Sequence, residues 1–262
     1  MSAVSTDLKD NETSRRKRAP NTPPSGRAMF QQSAIPTLSE MQYQKLRSKI
    51  VSMELKPGSA ISEQELAEQE GISRTPVREA ILRLAREKLV EVVPKSGTYV
   101  GRIPISSLPE ALIARRALES TAVRAAAEMA TKSQIMALHS HVQLQKELET
   151  KGNMEKFHQS DEKFHEQIAI AGNLPGLWGM VQQIKLQVDR FRRLTLPEPG
   201  RLNLIIQEHA AIVDAIERKD ANYAHSCIET HLAGLQFHIE NVVEAYPCYF
   251  IHDIDLNNLA NI

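Results

Sequence analysis

The chain contains 262 residues, in which 32 Lys and Arg balance 32 Asp and Glu. Two cysteines are too few for a disulfide scaffold, and no apolar run approaches the ~20 residues of a membrane helix, which favours a cytoplasmic protein with no membrane partner. The zero total charge hides an asymmetry. Residues 1–103 carry 17 basic and 12 acidic side chains, whereas residues 104–262 carry 15 and 20. The net positive charge of residues 1–103 is compatible with a nucleic-acid partner.

Residues 1–36 form a polar segment rich in Ser, Thr, Asn and Pro. Such a composition cannot bury enough apolar surface to offset its ordering entropy, so we expect a disordered basic tail. The run Arg15-Arg16-Lys17-Arg18 is more typical of a solvated tail than of an auxiliary phosphate contact.

Residues 37–103 show the pattern of three helices followed by a hairpin. Ser62 begins a capping box ahead of the second helix, Gly71 ends that helix, and Pro76 fits the first turn of the third. The predicted elements are helices over 38–53, 62–70 and 73–88 and strands over 90–93 and 98–101. This order is the layout of a winged helix-turn-helix.

The remaining chain has helical periodicity without a strand pattern, which predicts an antiparallel all-α bundle and a mainly α fold class. We place a linker at 104–108, the bundle at 109–246 and an unassigned C-terminal tail at 247–262. The predicted helices cover 106–130, 132–151, 153–172, 174–196, 201–219 and 220–245.

The third helix carries the strongest candidates for reading DNA. Arg74 and Arg78 lie four residues apart, opposite the apolar stripe, where a guanidinium suits guanine O6 and N7. Ser73 and Thr75 lie at the helix start, which suits phosphate oxygens. Because this helix comes second in a helix-turn-helix and precedes a hairpin, we predict a recognition helix rather than two solvated arginines.

The hairpin tip offers Lys95 and Gly97, which would let the wing approach a DNA backbone closely. At this point the sequence resembles the GntR family of bacterial transcriptional regulators. The resemblance implies that Arg74 and Arg78 contact bases of double-stranded operator DNA and that Thr75 and the wing support them. The matching motifs are Leu55-Lys56-Pro57-Gly58, Glu65-Leu66-Ala67-Glu68 and Gly71-Ile72-Ser73-Arg74-Thr75-Pro76-Val77-Arg78-Glu79-Ala80.

All nine histidines lie after residue 138, and three of them fall on inward-facing stripes. Asp161 and His165 are spaced i, i+4, while His209 and His231 lie on the apolar stripes of two later helices. A buried imidazole or carboxylate needs a partner. The spacing alone leaves a divalent metal site and a hydrogen-bonded polar core both open.

The helical half resembles the FCD ligand-binding domain of the FadR subfamily, and its count of about six helices resembles the VanR-like branch. The resemblance implies that Asp161, His165, His209 and His231 bind a divalent metal, with zinc, nickel or manganese as candidates. It implies Arg115 near the cavity of a small carboxylate effector. The segments concerned are Arg115-Arg116-Ala117-Leu118-Glu119, Asp161-Glu162-Lys163-Phe164-His165, Gly172-Asn173, Glu208-His209-Ala210-Ala211-Ile212 and His231-Leu232.

Two further residues are candidates for the effector cavity. Arg190, Arg192 and Arg193 share one predicted helix, and helical phase favours Arg190 as the arginine that lines the cavity. Asn173 suits a helix cap better than the cavity, but it stays a candidate.

These features predict a homodimeric transcription factor, repressing by default, whose operator binding is controlled by a small organic acid. One alternative is a sensor for which the metal ion itself is the signal. Another is a metal-dependent enzyme fused to a DNA-binding domain. The sequence offers no general base with a supporting relay, so we predict that the chain is not an enzyme.

Overall fold

The structure, a computed structural model, describes residues 36–256. The expected disordered tail, apart from residue 36, and residues 257–262 lie outside the described residues. The predicted fold class is confirmed, because the described chain is mainly α, with a winged helix-turn-helix followed by a helical domain.

The DNA-binding half contains the three predicted helices and the hairpin. The Ser62 hydroxyl accepts a hydrogen bond from the backbone N–H of Glu65, and Gly71 ends the second helix at φ 63°. One short strand was not predicted, and it adds to the hairpin to give an antiparallel sheet in the order β1-β3-β2. The elements are α1 (Leu38–Val51), β1 (Ala60–Ile61), α2 (Glu63–Glu70), α3 (Arg74–Arg86), β2 (Val90–Val93) and β3 (Gly97–Val100).

The apolar stripe of α3 forms the centre of this domain's core. Val77, Ile81 and Leu84 are fully buried against Leu46 and other apolar residues of α1. Burial of each such side chain contributes roughly 1.5–3 kcal/mol. The packing fixes the rotation of α3, and so directs its polar face toward solvent.

The second half is a helical bundle, and two of the six predicted helices are each divided in two. Its elements are β4 (Ile103–Pro104), α4 (Ser107–Met129), α5 (Lys132–Thr150), α6 (Met154–Ala171), α7 (Pro175–Ile184), α8 (Leu186–Thr195), α9 (Arg201–Glu217), α10 (Ala221–Ala233), α11 (Ile239–Ala245) and β5 (Phe250–Ile251). None of the helices within residues 36–256 is long and apolar enough to cross a membrane.

Tertiary contacts lie at both divisions. At Lys185, between α7 and α8, the side chain is buried and its ammonium pairs with the carboxylates of Glu162 and Asp189. After α10, a side chain at Gly234 would project toward the Arg201 guanidinium, 3.6 Å away. The hydrophobic pattern runs through both points, so periodicity alone could not reveal these interruptions.

Close packing around α4 gives the bundle its core. At Gly172, a Cβ would lie 2.7 Å from the Ala122 carbonyl oxygen, so only glycine allows the end of α6 to approach α4 this closely. Phe157, Phe164 and Ile212 are buried in the same core. The inward faces of α6, α9 and α10 therefore meet, and these faces carry the candidate ligands.

The C-terminal tail, which the sequence left unassigned, pairs with the residues at the start of the predicted linker. β4 and β5 pair in parallel, with Ile103 opposite Phe250 and Pro104 opposite Ile251. The predicted linker at 104–108 is correspondingly short, because a strand occupies its first residue and α4 begins at Ser107. The last residues of the tail that the structure describes thus contact the connection between the two domains.

Candidate metal centre and nucleic-acid interface

The predicted recognition residues lie at the exposed start of α3. Ser73, Arg74, Thr75 and Arg78 are all exposed. The Ser73 side chain makes no capping bond to the first turn of α3, so its hydroxyl points to solvent along with the N-terminal amides. Arg74 Nη2 donates to Gln64 Oε1 at 3.1 Å, which braces this guanidinium from α2.

The tip of the β2–β3 hairpin exposes the two predicted wing residues. Lys95 has φ 63° and Gly97 has φ 145°, and both are exposed in the turn. Gly97 has a backbone conformation that other residues adopt only with strain. The turn is also held by a hydrogen bond between the hydroxyls of Ser96 and Tyr99 at 3.1 Å. The wing therefore presents a cation on a defined turn.

The four predicted metal ligands meet in one buried cluster. Asp161 and His165 come from α6, His209 from α9 and His231 from α10, and all are at most 6% exposed. His231 Nε2 lies 3.3 Å from both His209 Nε2 and His165 Nε2. The His209 Nε2 also lies 3.7 Å from Asp161 Oδ1. Three nitrogens and one carboxylate thus converge.

Two of the three imidazoles have a hydrogen-bond partner at Nδ1, and the third has a carboxylate close to it. The Nδ1 of His209 donates to Gln145 Oε1 at 2.9 Å. The Nδ1 of His231 lies 2.7 Å from Glu208 Oε2, and that of His165 lies 2.6 Å from Glu119 Oε2. A proton held on Nδ1 leaves the Nε2 lone pair free, which is the arrangement around metal-binding histidines. The three Nε2 atoms therefore lie together at the centre of the cluster.

The charge states within the cluster also suit a cation. Burial raises the pKa of Asp161, but the Arg192 guanidinium and the His165 imidazole outweigh it and hold this pKa well below its ordinary value. Burial, followed by neighbouring imidazoles, keeps the pKa values of His209 and His231 well below the ordinary histidine value. The carboxylate is thus ionised while both imidazoles are neutral, as metal ligands must be.

Two buried atoms of the cluster, Asp161 Oδ1 and His165 Nδ1, form no hydrogen bond with the described residues. Asp161 Oδ2 accepts from Arg192 Nη1 at 2.6 Å, whereas Asp161 Oδ1 has no hydrogen-bond donor among the residues described. An unsatisfied buried carboxylate oxygen is costly. Its position beside the Nε2 atoms means that the donor set fits a divalent cation.

A cationic pocket borders the cluster. It is lined by Arg115, Arg192, Arg201, Ile205, His231, Leu232 and Leu235. Arg115, the candidate from the family resemblance, lines this pocket and pairs with Glu119 at 2.8 Å. Arg201 was not predicted, although it lies one helical turn before Ile205 on the stripe that carries His209. Its buried Nε has no acceptor within the described part of the chain. The pocket therefore presents guanidinium N–H groups beside the cluster.

An apolar pocket borders the cluster from the side of His165. Its walls include Leu177, Trp178 and Ile228, with Glu119 and His165 as its polar members. The His165 and Trp178 rings are nearly parallel, with centroids 6.2 Å apart. The cluster thus has a cationic pocket next to His231 and an apolar one next to His165.

Two predicted cavity residues lie elsewhere. Arg190 is fully buried, but it faces the DNA-binding domain, where its Nη2 donates to the Gly101 carbonyl oxygen at 2.6 Å. Arg192 takes the place beside the cluster that was expected for Arg190. Asn173 is exposed at φ 57°, and it ends α6 through a bond from its N–H to the Ile170 carbonyl oxygen. It acts as a helix terminus and does not reach the cavity.

A second group of potential ligands contains its own cation. His158, Glu162 and Asp189 lie close together between α6 and α8. The Lys185 ammonium lies 2.5 Å from Asp189 Oδ2 and also pairs with Glu162. A metal ion here would have to displace this buried ammonium, so the group acts as an internal ion-pair network.

Both halves of the chain match known protein families. Residues 38–100 match the bacterial regulatory proteins of the gntR family, and residues 110–234 match the FCD domain. The first match contains α1 to β3, and the second contains Asp161 and the three histidines of the buried cluster. Both families consist of regulators, which agrees with the prediction that the chain is not an enzyme.

Similar proteins are also transcriptional regulators. An uncharacterised HTH-type transcriptional regulator of Streptomyces ambofaciens is 34% identical over 213 residues, which cover 80% of this chain and 89% of the relative. The transcriptional repressor RspR of Escherichia coli K12 is 26% identical, with 81% of this chain and 93% of RspR covered. The solved structure of E. coli McbR/YncC superposes with a TM-score of 0.67 at 26% identity, covering 81% of this chain and 100% of that one. The chain belongs to the GntR family of DNA-binding transcriptional regulators and carries an FCD domain.

Proposed function

We propose that this regulator is a repressor whose operator binding is controlled by a small carboxylate effector, bound at a divalent metal ion in the helical domain. The observation that carries the proposal is the position of the buried Asp161 and histidine cluster beside a pocket that contains three arginines. Repression is also supported by the relative RspR, which is a repressor.

The metal would be held by Asp161, His165, His209 and His231. Three imidazoles and one carboxylate suit zinc, nickel or manganese. A bound ion would supply positive charge to hold an anionic oxygen, and Arg115, Arg192 and Arg201 would hold the rest of the carboxylate.

On DNA, Arg74 and Arg78 would contact bases in the major groove, while Ser73, Thr75, Lys95 and Gly97 would contact the backbone. A single recognition helix reads only a few base pairs, so we place two copies on one operator, as a homodimer held by the FCD domains in the cytoplasm. The effector would act by binding one arrangement of the two domains better than the other.

The experiment has two stages. First, elemental analysis of the purified protein, before and after dialysis with zinc, should find about one ion per chain, and His231→Ala should lose it. Second, a thermal-shift screen of small carboxylates on the metal-loaded protein should identify an effector through a rise in Tm that grows with its concentration. That compound should then release bound DNA.

Other outcomes would contradict the proposal. A protein that never retains a divalent ion has a polar core at this place rather than a metal site. If chelation alone releases DNA and added ion restores binding in the absence of any carboxylate, the ion is the signal and the chain is a metal sensor. Tighter DNA binding with the carboxylate would make the chain an effector-dependent activator or co-repressed regulator.

A further inference from the structure

The residues after the FCD match return to the connection between the two domains. We call residues 235–256 the C-terminal extension, since the match ends at residue 234. Its strand β5 pairs with β4, and the Ile105 N–H donates to the Ile251 carbonyl oxygen at 3.1 Å. Asp253 accepts from both the backbone N–H and the hydroxyl of Ser106, at 3.0 and 2.6 Å.

An apolar core supports these polar contacts. The extension contributes Leu235, Ile239, Val242, Val243 and Phe250, which pack with Ile103, Ile105 and Leu108 around the connection and with Val188 and Phe191 of α8. Ile103 and Ile105 are completely buried there. This cluster is separate from the cores of the DNA-binding domain and of the bundle. The connection is therefore enclosed by apolar residues, and the extension supplies about half of them.

The connection itself is short and restricted. Residues 101–106 join the wing strand β3 to α4. The Gly101 N–H donates to the Leu89 carbonyl oxygen, while its own carbonyl accepts from Arg190. Pro104 fixes its own φ, and the branched side chains of Ile103 and Ile105 restrict theirs. Anything that immobilises Ile105 and Ser106 thus limits how the DNA-binding domain can turn.

We propose that the C-terminal extension is a clasp that fastens the interdomain connection and so holds the DNA-binding domain in one position against the effector domain. Opening the clasp, by separation of β5 from β4 and of Asp253 from Ser106, frees residues 102–106 without unfolding either domain. The part of this proposal that concerns effector control rests on the proposed function. The fastening itself does not.

The test compares the full chain with two variants. Asp253→Ala removes both bonds to Ser106, and a chain that ends at Tyr246 removes β5 as well. Glu244→Ala is the matched control, because it removes a carboxylate from an exposed position on the same extension. Two readouts report on the connection: hydrogen exchange of the Ile105 and Ser106 amides, and the rate of tryptic cleavage after Arg102, which is exposed just before β4.

We expect both rates to rise about tenfold in Asp253→Ala, and further in the shortened chain, because local opening controls exchange and proteolysis of a folded protein. Glu244→Ala should behave as the unchanged chain does. Protection of the α6 amides shows whether each variant is folded. If the shortened chain does not fold, the Asp253→Ala variant alone tests the clasp. Unchanged exchange and cleavage in that variant overturn the clasp.

Added zinc separates this proposal from the metal site. In the full chain we expect zinc to slow exchange in α6 and also at Ile105 and Ser106. In Asp253→Ala, zinc should still protect α6 but no longer the connection. Failure of zinc to protect α6 counts against the metal site. The clasp is then tested by the exchange and cleavage rates of the full chain and Asp253→Ala measured without metal. Protection of α6 with no response at the connection of the full chain overturns the control function of the clasp.

Discussion

At the residue scale, one carboxylate serves two neighbours. Asp161 presents Oδ1 to the imidazole cluster, while its Oδ2 accepts from Arg192 of α8. Arg192 in turn lines the pocket proposed for the effector. An ion or an anion at this place changes the charge balance around the same guanidinium. The pair of Asp161 and Arg192 would therefore connect both the proposed metal ion and the proposed anionic effector to α8.

The first prediction concerns base reading. Arg78→Ala should weaken binding to a preferred DNA sequence by roughly 10–100-fold, since one bidentate contact to guanine is worth ~1–3 kcal/mol. The measurement is fluorescence anisotropy at fixed salt, with a sequence selected from a random pool by the purified protein. Arg86→Ala, an exposed arginine at the other end of α3, is the control. Equal losses for the two variants would mean that bulk charge, not base reading, decides affinity.

The second prediction concerns the residues behind the ligands. Gln145→Met keeps the volume of this completely buried side chain but removes the acceptor that orients His209. Loss of such a partner lowers metal affinity by ~10–100-fold, and we expect that loss here in a competition titration against a chelator. Gln207→Met, on the exposed side of the same α9 that carries His209, should leave affinity unchanged. An unaltered affinity in Gln145→Met would show that His209 is not a ligand.

At the element scale, α8 contacts three parts of the molecule. Leu186 at its start joins the core of the DNA-binding domain. One turn later Arg190 bonds to Gly101, and Arg192 then bonds to Asp161. Burial without a carboxylate partner lowers the pKa of Arg190 to about 10, so this guanidinium remains charged at neutral pH. A rigid helix with these contacts relates the position of the ligand cluster to that of the winged domain.

The third prediction tests this helix. Arg190→Leu should lower the free energy of unfolding by about 1.5–3 kcal/mol, because it leaves the buried Gly101 carbonyl without its charged donor. Urea unfolding followed by far-UV circular dichroism measures the change. Arg193→Leu removes a partly exposed arginine that pairs with Glu155, so it should cost at most ~1 kcal/mol. A larger loss for Arg193→Leu than for Arg190→Leu would contradict the assignment.

Helical spacing could predict which residues face the bundle core, but not which partners they contact there. Stripe spacing predicted that Asp161, His165, His209 and His231 face inward, because each lies on a regular helix whose apolar face has one direction. Helical phase also favoured Arg190 as the arginine that lines the effector cavity, whereas Arg192 lies beside the cluster. It could not tell which neighbour Arg190 meets, since that depends on the docking of the winged domain against α8.

Other features depended on long-range contacts. The break at Lys185 coincides with its pairing with Glu162, 23 positions earlier in α6, and no local signal marks it. The pairing of β5 with β4 joins strands of two residues each, too short for an alternating pattern. By contrast, capping at Ser62 and the glycine stop at Gly71 were predictable, because they depend only on residues within a few positions.

At the scale of the whole molecule, the zero net charge divides between the two domains. The winged domain, residues 37–103, carries eleven basic and nine acidic residues. Such a small excess cannot give strong sequence-independent attraction to DNA. DNA affinity must then depend on placed side chains, and the proposed homodimer would add to it.

The fourth prediction follows from this charge distribution. Lys95→Ala should reduce the magnitude of the slope of log K against log salt by about one unit per wing in contact with DNA, and weaken binding equally for preferred and random sequences. Anisotropy titrations at four or more salt concentrations give the slope. Lys56→Ala, which removes a cation from the turn after α1, should change it little. A sequence-dependent effect of Lys95→Ala would mean that the wing reads bases.

The pairing of β5 with β4 has a consequence for biosynthesis. Ser106 and Asp253 are 147 positions apart, so the joint between the domains closes only after nearly the whole described chain has left the ribosome. The winged domain, whose core is built mainly from residues 43–100, can fold earlier. A nascent or prematurely terminated chain would thus hold a folded winged domain on an unfastened connection. A fusion partner attached directly after β5 would replace Asp253 and so remove its bonds to Ser106.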